Sequence, residues 1–307
     1  MPMDSVVIVT FYKFVELADY QEMQQPLGRF CRAWQTKGTI LLAHEGINAT
    51  IAGTRAGIDA VLAHLRSDPR LADLTTKESY AEKMPFVRMK VRLKKEIVTL
   101  RQDVDPRAVV GEYVKPHDWN KLISDPDVKL IDTRNDFEVQ IGTFEGAINP
   151  NTASFTQFVD YVRDNLDPAR DKKVAMFCTG GIRCEKATSY LIQQGFEGVY
   201  HLEGGILKYL EEVPQVNSMW QGECFVFDNR VTVDHDLKPG NYELCHGCWH
   251  PLDSADIASP QYEPGVCCPY CIEGLTDKQL TNRRERVKQI ELAKARGETH
   301  LGRISVE

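Results

Sequence analysis

No apolar run in this 307-residue chain approaches the roughly eighteen residues that a membrane-crossing helix needs. The N-terminal residues also lack the basic, apolar and small-residue regions of a signal peptide, so the cytoplasm is the expected compartment and no membrane partner is expected. There is no internal repeat and no low-complexity tract, which argues against a solenoid or a disordered tail. No dinucleotide glycine fingerprint, flavin or haem motif, or two-histidine-one-carboxylate iron pattern is present. The nine cysteines are an odd number, and four of them fall into two Cys-x-x-Cys pairs. That usage fits reduced thiols and metal binding better than a disulfide framework.

What the chain does have is charge in blocks. The net charge is −7, but residues 117–275 hold 12 Lys and Arg against 25 Asp and Glu. Residues 1–116 hold 17 against 14, and residues 276–307 hold 8 against 5. The ends are thus mildly basic around an acidic centre, a layout that leaves room for a polyanionic partner at the ends.

In the N-terminal third, Ser5–Tyr12 is β-branched and aromatic and predicts a strand. A helix is expected from Tyr20 to Lys37, kinked by Pro26 and stopped by Gly38, followed by strands at Thr39–Ala43 and Ile47–Ala52 joined by a His44-Glu45-Gly46 turn. The spacing of Ile58, Val61, Leu62 and Leu65 predicts a second helix over Arg55–Arg66. With a last strand near residues 87–94, the order is β-α-β-β-α-β, a ferredoxin-like α+β domain over residues 1–101. In that last strand Val87, Met89, Val91 and Leu93 alternate with Arg88, Lys90, Arg92 and Lys94. Period-two geometry puts the four cations in one row, which can follow an RNA phosphate backbone without reading sequence. The competing reading is a solvated face that discourages edge pairing.

Residues 102–118, with Pro106, Gly111 and Pro116, read as a linker, and residues 119–215 as a domain of alternating strands and helices. That alternation predicts a parallel sheet with helices on both faces and a ligand site beyond the strands' carboxyl ends. Asp132, the Cys178 loop and the Glu203-Gly204-Gly205 turn all fall at such ends. The loop, Cys178-Thr179-Gly180-Gly181-Ile182-Arg183, follows the buried strand Lys173–Phe177 and opens a helix. Backbone N–H groups and a helix N-terminus converge there, and with the Arg183 cation they lower a thiol's pKa. The alternative is an inert cysteine buried in a tight turn. Cys184 is either a second thiol that resolves an oxidised Cys178 or a packing residue. Cys178 and Arg183 span Cys-x4-Arg, one residue shorter than the Cys-x5-Arg loop of cysteine phosphatases, and so suit a sulfur atom better than a tetrahedral dianion.

The last region, residues 216–307, is cysteine-rich and helical. Cys245 and Cys248 are separated from Cys268 and Cys271 by nineteen residues, the spacing of a zinc ribbon, with Cys267, His246 and His250 as spare ligands. Zinc there would be structural. A capping box at Thr276–Gln279 opens a helix to about Arg296, whose Arg283, Arg284, Arg286, Lys288, Lys294 and Arg296 form a second basic surface.

Leu130–Arg134, Glu145–Asn149, the Cys178 loop and Leu202–Ile206 follow the motif order of a rhodanese domain. The resemblance implies that Cys178 is the residue that carries a persulfide in sulfur-transferring relatives. With Glu45-Gly46-Ile47-Asn48-Ala49-Thr50 ahead of it and the paired cysteines behind, nearly the whole chain resembles the oxygen-dependent tRNA uridine(34) hydroxylase family. This implies conversion of the wobble uridine to 5-hydroxyuridine, with molecular oxygen as co-substrate, Cys178 essential and the tRNA anticodon region as partner; no DNA partner is expected. Two routes stay open: Cys178 adding to C6 of uracil to activate C5, or an oxidised cysteine donating oxygen. A sulfurtransferase and a catalytically silent tRNA-binding adaptor are the alternative functions.

Overall fold

A computed structural model describes residues 6–297. The chain forms two compact units. One runs to Val226 and takes back Val233–Lys238; the other comprises Phe227–Thr232 and the chain from Pro239 on. The ferredoxin-like and rhodanese-like parts therefore share one unit.

The first part is built from β1 (Val6–Phe14), α1 (Tyr20–Ala33), β2 (Lys37–Ala43), β3 (Gly46–Gly53), α2 (Arg55–Arg66) and β4 (Lys77–Ala81). Its sheet runs β4-β1-β3-β2, antiparallel throughout, the order of a ferredoxin-like fold. Val7, Val9, Phe11, Leu27, Ile40, Ile51, Val61 and Leu65 make its core.

Two expectations need correction here. Helix α1 stops at Ala33, because Gln35 takes φ 53° and the Gln35 and Thr36 N–H groups bond back to Arg32 and Cys31, a Schellman end with glutamine in the left-handed place. And the basic stretch is not the motif's closing strand; β4 is. Residues Met89–Leu93 form β5, a fifth strand lying parallel to β2 at the opposite edge. Only Met89 and Val91 pack on the core, while Val87 and Leu93 stay 50% and 37% exposed, as an edge strand allows.

The second part comprises β6 (Glu112–Val114), α3 (Pro116–Ile123), β7 (Val128–Asp132), α4 (Asp136–Val139), β8 (Gly142–Phe144), α5 (Phe158–Asn165), β9 (Lys173–Phe177), α6 (Ile182–Gln193), β10 (Gly198–Leu202), α7 (Gly205–Glu212) and β11 (Trp220–Gly222). Strands β6-β10-β9-β7 form the parallel sheet. Along β9, Val174 and Met176 enter a core with Phe158 and Leu191, while Ala175 and Phe177 enter one with Trp119, Ile206 and Tyr209. Both faces are thus covered by helices, which is why the strand sequence is apolar without alternation.

The stretch expected as a linker, 102–118, is structured at its end: it supplies β6 and the first turn of α3. The region after 215 also begins inside the first unit, where β11 pairs antiparallel with β8 and Trp220 lies edge-on to Phe144, ring centroids 5.2 Å apart.

In the other unit, Glu243–Leu244 pairs with Pro251–Leu252, and a helix spans Asp277–Ala295 behind the expected Thr276 capping box. Among the described residues no helix is long and apolar enough to cross a membrane.

Candidate active site

The site is assembled at the carboxyl end of β9. Cys178 leaves the strand fully buried, and its loop is closed by two glycine-dependent features. Gly181 caps α6 with φ 104°, which lets its N–H point back at the Cys178 Sγ, 3.1 Å away. Gly205, at φ 68°, brings α7 against the loop so closely that a Cβ would lie 2.4 Å from the Cys178 carbonyl. The Ile206 and Leu207 N–H groups then bond the Cys178 and Thr179 carbonyls at 3.0 and 3.1 Å.

Burial alone would push the Cys178 thiol up. The Cys184 side chain donating to the sulfur, the Arg183 charge and the N–H groups of Cys184 and Gly181 overcome it, and bring the pKa from 9.0 down to about 5. Cys184, itself buried, is driven the other way by burial and by the neighbouring thiolate, so it holds its proton and donates.

Arg183 is held differently from the free-standing cation the sequence suggests. Its guanidinium grips the buried Glu138 carboxylate from two nitrogens, at 2.6 and 2.8 Å, and reaches Thr179 Oγ1 at 3.2 Å. Ile182 is half-buried as the first residue of α6. Asp132, at a strand end where a ligand was expected, is spent on structure: it is fully buried and paired with Arg134 at 2.6 Å and Thr143 at 2.9 Å.

Sequence reasoning missed Lys77, Tyr12 and Glu185, which lie outside the loop. Thr10 of β1 lies opposite Lys77 of β4, so Tyr12 and Lys77 share the sheet face turned away from the helices. Lys77 Nζ donates to the carbonyls of Gly180 at 2.6 Å and Gly204 at 2.5 Å. Tyr12 donates to Glu185 of α6 at 2.7 Å, and a side chain on Gly181 would come within 2.8 Å of the Tyr12 hydroxyl. Burial, together with the Cys178 charge, raises the pKa of Glu185. The ferredoxin-like part therefore roofs the cysteine loop. It is fastened there by Lys186 of α6, 1% exposed, which pairs with Glu45 and Glu96 at 2.7 Å each. Glu45 and Asn48 also bond the Ile97 backbone, which gives that turn its polar residues. Glu138 is the fourth residue missed; its one signal was the Asn135-x-x-Glu138 capping box.

The other candidates belong to other elements. Arg92 on β5 and Arg88 and Lys94 just outside its two ends are exposed, and Lys90 is half-buried, its pKa lowered by burial and by Arg88 and Arg92 beside it. In the second unit, the sulfurs of Cys245, Cys248, Cys268 and Cys271 all lie within 4.8 Å of one another, so the four can hold a metal ion. Cys267 instead faces the Gln261 carbonyl, and His250 lies against the Tyr270 ring, 3.9 Å between centroids. Three cations of the terminal helix are committed locally: Arg283 to the Val266 carbonyl, Arg284 to Glu263, and Arg286 to the His246 and Gly265 carbonyls.

A cysteine thiolate in a short loop after a parallel strand, between two helix N-termini, defines a rhodanese-type site. Residues 115–212 match the rhodanese-like domain family, and residues 6–97 match the family described as a UPF0176 acylphosphatase like domain. A Picosynechococcus protein named tRNA uridine(34) hydroxylase is 61% identical over 294 residues, covering 95% of this chain and 99% of that one. The chain belongs to the tRNA uridine(34) hydroxylase family. Among solved structures, a rhodanese-related protein of Thermoplasma volcanium is 28% identical over 33% of this chain and 93% of its own, TM-score 0.27. A polysulfide-sulfur transferase of Wolinella succinogenes is 29% identical over 33% of this chain and 74% of its own, TM-score 0.28.

Proposed function

We propose that this protein is a cytoplasmic tRNA-modifying oxidoreductase that hydroxylates the wobble uridine, U34, to 5-hydroxyuridine with molecular oxygen, through Cys178. The observation that carries this is the 61% identity to a tRNA uridine(34) hydroxylase across 95% of the chain, which takes in the roofing domain and the paired cysteines as well as the rhodanese fold. The thiolate brought down to about 5 supplies the nucleophile. Its addition to C6 of uracil would form an S–C6 bond and leave C5 electron-rich toward oxygen. One oxygen atom ends on C5 and the other leaves as water, using two electrons and two protons from an external reductant. Loss of the C5 proton then breaks the S–C6 bond, restoring the C5–C6 double bond and releasing the Cys178 thiolate. The base must enter single-stranded and splayed from the anticodon loop.

Purified protein given unmodified tRNA and an added reductant should form 5-hydroxyuridine under air and none under nitrogen, read by mass spectrometry of the nucleosides, and Cys178→Ser should form none. Equal product under both gases, or full product from Cys178→Ser, would overturn this reading. A sulfurtransferase remains the second reading, supported by the same thiolate cradle; it would show a Cys178 persulfide after thiosulfate and no oxygen dependence.

We further infer that Arg88, Lys90, Arg92 and Lys94 contact tRNA phosphates. What supports it is that no ion pair to a carboxylate is seen for any of them among the described residues. Cys245, Cys248, Cys268 and Cys271 are proposed as a structural zinc site, supported by sulfurs 3.7 Å apart between Cys248 and Cys268 and 3.8 Å between Cys268 and Cys271. A zinc ion with sulfurs at about 2.3 Å in tetrahedral array spaces them in just this range.

A further inference from the structure

We propose that Lys77, from the ferredoxin-like part, is a positioning residue of the active site: it locks the Cys178 loop to the first turn of α7 and holds a positive charge over the thiolate. The inference rests on the reading of Cys178 as the reacting group, and it adds a residue from a part of the chain that the rhodanese motifs do not include.

The geometry is specific. One ammonium bridges Gly180 O and Gly204 O, carbonyls from two segments 24 positions apart in sequence, the second of which packs through Gly205 on the Cys178 and Thr179 carbonyls. A Cβ on Gly180 would sit 3.9 Å from the Lys77 Nζ, so the lysine lies directly on the loop. Lys77 can be there because β4 pairs with β1 in the register that sets it opposite Thr10, on the face that also carries Tyr12. Those two carbonyls cannot both be satisfied by a neutral apolar residue, and their loss would free the loop whose N–H groups hold the thiolate.

The charges facing this ammonium are Cys178, Glu185 and Glu211, which favour it, and Lys208, which opposes it. Burial dominates and brings Lys77 from 10.5 down to about 8, while Cys178 sits at about 5. Between those two values the lysine is charged and the cysteine ionised, so each favours the other's charged form. Above the upper value the ammonium is lost and the loop carbonyls lose their shared donor.

The test titrates the Cys178 thiolate by its ultraviolet absorbance, taken as the difference from Cys178→Ser, in the full-length protein. Lys77→Met should move the midpoint up by about one pH unit, roughly a tenfold loss of thiolate at pH values below both midpoints. Lys77→Arg should leave it near the wild-type value. If Lys77→Met does not fold by circular dichroism, Lys77→Gln carries the same test, since its amide can donate to a carbonyl without supplying charge. An unmoved midpoint in the folded neutral variant would overturn the proposal, whatever becomes of the structural contact. Because no tRNA is involved, this result is independent of whether the protein hydroxylates uridine.

Discussion

Cys178 owes its ionisation to donors, and the donor with the least obvious purpose is a second cysteine. A thiol is a weak donor, yet one held against a buried thiolate loses little by giving its proton direction. Cys184 meets this condition because Thr133 and α6 fix it and because its own ionisation is suppressed by burial and by the charge next door. Cys184→Ala should therefore raise the Cys178 midpoint above about 5, with the thiolate fraction falling at any pH below 9.0, the ordinary thiol value. Cys184→Ser keeps an O–H donor and should keep both a low midpoint and tRNA hydroxylation. The pair of variants separates donation from disulfide resolution: a resolving thiol is lost equally in both, whereas a donor is lost only in the alanine. Arg183 is a poorer probe. Removing it strands the buried Glu138 carboxylate, a loss of about 3–5 kcal/mol for such pairs, so its variants would report folding as much as catalysis.

At the scale of elements, the rhodanese-like part was legible because its chemistry sits in consecutive residues at strand ends, where apolar strand, glycine turn and helix follow one another in the chain. The loop from Cys178 to Arg183 could be placed from sequence for that reason. Strand β4 could not, because Lys77-Glu78-Ser79-Tyr80-Ala81 has no apolar alternation and is held only at the β1 edge. The stretch with the stronger pattern, β5, takes its place in the sequence, and Lys77 carries no signal there. Tyr12 and Glu185 were hidden for a related reason: each lies on a correctly expected element, but only packing of two parts of the chain shows which face meets the other. The paired cysteines needed only spacing, and the four sulfurs do converge. Two strands of two residues and a five-residue helix make a thin frame around them, so a metal would supply folding energy there directly. Metal analysis of the purified protein should find one zinc per chain, lost in a Cys245→Ser, Cys268→Ser double variant together with the cooperative unfolding of this unit. A zinc-free protein with an unchanged unfolding transition would refute the site.

At the scale of the whole molecule, the two basic surfaces do not stand equally as contacts for RNA. The terminal helix spends Arg283, Arg284 and Arg286 on its own surroundings, so its charge is partly neutralised and its arginines are held down. Along β5 and the residue on either side of it the cations come one every second position, and Lys90 has its pKa lowered by burial first and then by Arg88 and Arg92 beside it. Such a row gains most from displacing counterions when phosphates approach. Replacing Arg88, Lys90, Arg92 and Lys94 by glutamine should weaken tRNA binding while leaving the Cys178 midpoint in place, since β5 is the sheet edge opposite β4, the strand whose Lys77 reaches the loop. The decisive quantity is the slope of log affinity against log salt. Each lost phosphate contact reduces it by about 0.7 to 0.9, so loss of all four contacts should flatten it by about three. A weaker affinity with an unchanged slope would mean that the row supports the fold instead of touching the backbone, and an unchanged affinity would remove β5 from the RNA surface altogether.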